Sequence, residues 1–108
     1  MNEIARASQV GMVLQGTNIP VRQPVLAACE LLGFDPLYVA NEGKLLAIVA
    51  PQAADDALTA MRSTRYGEEG VLVGHVAKQP VGRVLMRTEI GGHRLVEMMA
   101  GEMLPRIC

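Results

Sequence analysis

Tryptophan is absent from the 108-residue chain, and Phe34, Tyr38 and Tyr66 are the only aromatic side chains. Nor is there an excess of either charge: ten lysines and arginines stand against eleven aspartates and glutamates, a formal net charge of −1. Without a basic surplus or a stacking platform, nucleic acid and acidic membrane surfaces are excluded as natural partners. No apolar run approaches the ~20 residues that span a bilayer, and the start of the chain, with Glu3 and Arg6 among small residues, lacks the apolar stretch of a signal peptide. The two cysteines, Cys29 and Cys108, form no Cys-x-x-Cys pair and have no histidine near them in sequence. That usage fits a reduced, cytoplasmic protein and neither a disulfide scaffold nor a zinc site, so no metal is expected. Missing too are a Gly-x-Gly-x-x-Gly stretch, a phosphate loop ending in Gly-Lys-Ser/Thr and a His-Glu-x-x-His pair. The only serines, Ser8 and Ser63, sit in no nucleophile elbow.

What remains is half apolar and only 19% charged, the composition of one folded domain and not of a disordered chain. Apolar spacing predicts a short helix over 2–9 with Asn2 as its cap, a strand over 10–15, and a helix from Pro24 to Leu32 stopped by Gly33. Asp35-Pro36 reads as a cap followed by proline at the first position of a short turn. Asn41-Glu42-Gly43 is a tight turn. The unbroken apolar run Leu45–Ala50 predicts a strand buried on both faces, where Ile48→Asp would strand a charge in the core. Pro51 opens a second amphipathic helix whose face carries Ala54, Leu58 and Met61. Strands follow over 71–77 and 83–89, with Gly91-Gly92 turning into a return strand over 94–97. Alternating helices and strands with hairpins give a layered α+β or α/β domain with a mixed sheet over 1–97, and a tail over 98–108 that carries the last cysteine.

Most candidate side chains have an ordinary structural explanation. His75 lies in a strand pattern, His93 beside a turn, Cys29 on the apolar face of a helix, and Met98, Met99 and Met103 read as gap-filling residues under the tail. Two residues stand apart. Glu42 occupies a turn at the end of a short helix, where rigid scaffolds present reactive groups. Cys108 is a terminal thiol whose tail is restricted by Pro105 and carries the cation of Arg106 two residues before the sulfur.

These stretches resemble a known family. Pro20-Val21-Arg22, Ala28 to Gly33, the run from Asp35 through Asn41-Glu42-Gly43 to Lys44, Gly82-Arg83-Val84, Gly91-Gly92 and the terminal Pro105-Arg106-Ile107-Cys108 together resemble the C-terminal domain of HypE-type hydrogenase maturation proteins, a branch of the aminoimidazole-ribotide synthetase superfamily. The resemblance implies a three-layer α/β/α fold with a mixed sheet. It also implies a role in making the cyanide ligands of [NiFe] hydrogenase. A HypF-type carbamoyltransferase would load the thiol of Cys108. ATP, with magnesium, would activate the carbamoyl oxygen so that the thiocarbamate dehydrates to a thiocyanate, and Glu42 would help remove protons from the nitrogen. Cyanide would then pass to iron on a HypC–HypD-type scaffold. In that family most ATP and magnesium ligands come from an N-terminal ATP-binding domain, so this chain looks like the C-terminal half, not expected to run the reaction alone. The alternative is a non-enzymatic module that docks maturation partners.

Overall fold

Strand β1 (Gly11–Gln15) takes its form from alternation: Met12 and Leu14 are buried, while Val13 and Gln15 between them are only partly covered. The computed structural model describes residues 1–98 and places β1 inside a four-stranded sheet of order β2-β1-β3-β4. Here β2 is Gly74–Ala77, β3 is Val84–Arg87 and β4 is His93–Leu95. β1 runs antiparallel to β2 and parallel to β3, and β3 runs antiparallel to β4. Met12 lies opposite Val84 and Leu14 opposite Met86, so the four buried side chains stack in two cross-strand pairs on one face. With Ala5 of helix α1 (Asn2–Ala7) they form the core of this part of the chain, and Val84 is fully buried (0% exposed). The mixed α/β class expected from the sequence holds.

The described residues fall into two compact units, one made of Met1–Pro20 with Ala50–Met98 and the other of Val21–Val49. In the first unit, Glu3 in the first turn of α1 and Arg6 in its last complement the helix dipole. Met1, not Asn2, is the N-cap, since Asn2 is itself helical; no side chain caps the helix, which ends at Ala7 and not at residue 9. Pro51–Ala53 forms a 3₁₀ turn that leads into α3 (Ala54–Arg62), with Asp55 and Asp56 at its positive end. Ala54, Leu58 and Met61 are partly buried, as their shared face required. Arg62 Nε donates to the carbonyl of Gly70 at 2.8 Å and closes the glycine-bounded loop that follows. Asn18 Nδ2 donates to the carbonyl of Leu72 at 3.1 Å, tying the turn after β1 to the chain entering β2.

The two glycines of β1 and β2 allow close backbone approach. A Cβ on Gly11 would lie 2.8 Å from the carbonyl oxygen of Gln79 and 2.9 Å from that of Pro80, both main-chain atoms. Gly11→Ala is therefore expected to destabilise the domain by about 1–3 kcal/mol, the usual cost of overpacking a filled site. Equilibrium urea unfolding measures it, and a change below about 0.5 kcal/mol would show that the backbone there yields freely.

The second unit holds helix α2 (Gln23–Leu32), which has proline near its start and ends on Gly33 in the left-handed region (φ 70°). Cys29 is its buried residue (5% exposed), as expected of a small apolar side chain. Val25 and Leu32, which fall at helical spacing with Cys29 in the sequence, are exposed instead. The larger correction is Leu45–Ala50. It forms no strand, and Leu46 and Ile48 are 41% and 51% exposed. The run is as apolar as a buried strand, but a strand also needs a neighbour to bond, and none of the described strands pairs with it. A charge at Ile48 consequently would not be buried in this chain, contrary to the sequence expectation. The predicted strands over 71–77, 83–89 and 94–97 are present but shorter, as Gly74–Ala77, Val84–Arg87 and His93–Leu95.

Candidate functional site

Local hydrogen bonds shape the segment after α2. Gly33 lets the chain reverse, so the Phe34 N–H donates back to the carbonyl of Cys29 at 2.8 Å and the Gly33 N–H to that of Glu30 at 3.3 Å. Asp35 comes next, in extended backbone, and its Oδ1 accepts the Leu37 N–H at 2.9 Å. Its own carbonyl accepts the Tyr38 N–H at 3.0 Å. These bonds define the 3₁₀ turn Pro36–Tyr38, which proline pre-organises by fixing its own φ. Beyond it, Asn41 Nδ2 donates to the carbonyl of Val39 at 3.2 Å, and Gly43 takes a left-handed φ of 76°.

Between those last two residues sits Glu42, exposed to solvent. Asn41 and Gly43 flank it, one making a side-chain bond and the other bending the chain in a conformation that any Cβ would strain. The result is a carboxylate held out on a short, self-bonded loop. Such a group can take a proton from a molecule delivered to it. Asn41's bond to Val39 was not visible in the sequence, although asparagine beside a turn is the usual sign of one.

Other sequence candidates are placed differently. His75 on β2 and His93 on β4 are exposed, and Cys29 is enclosed in the other direction, as a packing residue. Cys108 lies outside the described residues, as do Pro105, Arg106, Ile107, Met99 and Met103; Met98, the last residue described, is exposed. Among the described residues no three histidines, cysteines, aspartates or glutamates are grouped to hold a metal, and no helix is long and apolar enough to cross a membrane. A shallow polar depression lined by Asn2, Arg6, Gly82, Arg83 and Glu97 had no signature in the sequence, since its residues come from both ends of the first unit.

Residues 1–87 match the family model for the C-terminal domain of AIR synthase related proteins, and the chain belongs to that family. Within it, the chain is similar along all 108 residues to carbamoyl dehydratase HypE, with 53% identity to the protein of Azotobacter vinelandii and 55% to that of Cupriavidus necator. It spans about a third of the length of these relatives, 32% and 31% respectively. Solved structures agree. A crystal structure of hydrogenase maturation protein HypE superposes on 99% of the chain with a TM-score of 0.90 at 44% identity, using 35% of that protein. HypE in complex with ATP gives 0.88 at 43% identity over 99% of the chain and 33% of the other. A HypE–HypF complex gives 0.83 at 35% identity over 89% and 31%.

Proposed function

We propose that this chain is the thiol-bearing part of a carbamoyl dehydratase that makes a protein thiocyanate for the cyanide ligands of [NiFe] hydrogenase. Residues 1–97 would act as the α/β domain and residues 98–108 as the tail that presents Cys108. The observation that carries the reading is the similarity to carbamoyl dehydratases over every residue, from the first to Cys108, at 53% and 55% identity. The exposed Glu42 on its braced turn supplies the chemistry such a reaction needs.

The sulfur of Cys108 attacks an activated carbamoyl group and displaces its carrier, forming a thiocarbamate, S–C(=O)–NH₂. ATP supplies the activation of that oxygen: its γ-phosphoryl group is transferred to the carbonyl oxygen as ADP departs. The nitrogen then loses both protons, the C–O bond breaks with release of phosphate, and S–C≡N remains. Glu42 accepts a nitrogen proton, a role that requires a carboxylate within hydrogen-bond reach of the amide. Magnesium is proposed to accompany the ATP, with most of its ligands supplied by the N-terminal ATP-binding domain. A HypF-type transferase is the partner proposed for loading, as a solved HypE is found bound to HypF. A HypC–HypD-type scaffold is proposed to receive the cyanide, all in the cytoplasm, and an N-terminal ATP-binding domain is proposed to complete the site.

Intact-mass analysis tests this. The chain is incubated with the transferase, carbamoyl phosphate and ATP, with and without the remaining two thirds of a carbamoyl dehydratase. The expected result is gain of one carbamoyl mass in both cases, and loss of one water from the adduct only when the remainder is present. No uptake in either case overturns the reading, and binding of the transferase without uptake would instead mark a docking module.

A further inference from the structure

We propose that Asp35 is a positioning residue for Glu42, acting through the turn between them; this rests on the proton-acceptor role proposed above. Three observations carry it. The Asp35 carboxylate is partly buried and caps the Leu37 N–H at 2.9 Å, while its carbonyl takes the Tyr38 N–H, so two consecutive donors converge on one residue. Upstream, Phe34 is bonded directly to Cys29, the buried residue of α2. Downstream, no strand ladder holds residues 39–49, and the next fixed point before Glu42 is the Asn41–Val39 bond.

The orientation of Glu42 is therefore inherited along a chain of short local bonds that starts at a buried anchor. Asp35 is the link where that chain leaves the helix. Removing its side chain leaves the Leu37 N–H without this acceptor, and the turn Pro36–Tyr38 loses one of the two bonds that hold it to residue 35. Pro36 keeps residue 35 extended and fixes its own φ, but it has no N–H and supplies no bond that replaces the cap. Glu42 stays exposed and chemically intact but spends less time where the amide nitrogen is presented.

The test uses this domain joined to the remaining two thirds of a carbamoyl dehydratase, pre-carbamoylated on Cys108, with dehydration followed by mass. Asp35→Ala is expected to lower kcat by about fivefold, the factor that an ordinary cap converts to, with KM for ATP and the carbamoylation rate unchanged. Asp35→Asn and Asp35→Ser, which also cap, are expected to restore the rate to within about twofold of the parent. Circular dichroism melting of each variant checks that the domain is folded. Glu42→Gln is run in parallel. If it is slow while Asp35→Ala is as fast as the parent, the positioning role is overturned and the role of Glu42 stands. An Asn variant as slow as the Ala variant also overturns it, since the charge and not the cap would then matter. A Glu42→Gln protein as fast as the parent overturns both readings together.

Discussion

A Cys108→Ser protein is expected to take up no carbamoyl group from a HypF-type transferase, while Cys29→Ser is loaded as well as the parent. The difference rests on accessibility and nucleophilicity. Cys29 is enclosed in its unit at 5% exposure and cannot meet the active site of another protein without unfolding its helix. Cys108 is the other thiol in the sequence. Serine has nearly the same size but, unlike a thiol with its few per cent of thiolate at neutral pH, is almost wholly un-ionised and a far weaker nucleophile without a base beside it. Intact mass of the two variants after the same incubation decides the matter. Loading of the Cys108→Ser protein at the parent's rate would remove the carrier role altogether.

The second large effect falls on a later step. Glu42→Gln should leave loading of Cys108 unchanged and slow conversion of the thiocarbamate to the thiocyanate by ~10²–10⁴, the usual worth of a general base. Glutamine keeps the shape and hydrogen-bonding reach of the side chain but cannot hold a proton. Since Glu42 is exposed on its loop, the substitution leaves the packing of the domain alone. Single-turnover dehydration of pre-loaded protein isolates the step, and a reduction of less than about threefold would sink the assignment.

Particular residues show why some of this was readable in the sequence and some was not. The stop at Gly33, the cap at Asp35-Pro36 and the alternation in β1 depend on chemistry within a few residues, and the structure has all three. The run Leu45–Ala50 failed because hydropathy reports what environment a segment suits and says nothing of whether a bonding neighbour is present. Pairing across the sheet was equally hidden: nothing near Met12 announces that it faces Val84. Glu42 was singled out by its place in an expected tight turn; the chain there makes only a bend at Gly43, and Glu42 is exposed. The bond from Asn41 that braces it depends on a side-chain rotamer, which no spacing rule encodes.

The arrangement of β1 also bears on how the chain comes to be folded. β1 meets β2 and β3 across some sixty to seventy intervening residues, Gly11 pairing with Ala77 and Met12 facing Val84. The entropy of closing so long a loop must be met before either ladder gives anything back, which is the circumstance that slows folding in sheets of distant strands. The main-chain bonds of the helices and those that close the Asp35 turn, in contrast, join near neighbours. Emerging from the ribosome, the turn before Glu42 has the partners of its Phe34, Leu37 and Tyr38 N–H groups in hand well before β1 has met either of its neighbours. The sheet waits for Val84 and Met86 to be synthesised, and until then Met12 and Leu14 lack the strand against which they are buried.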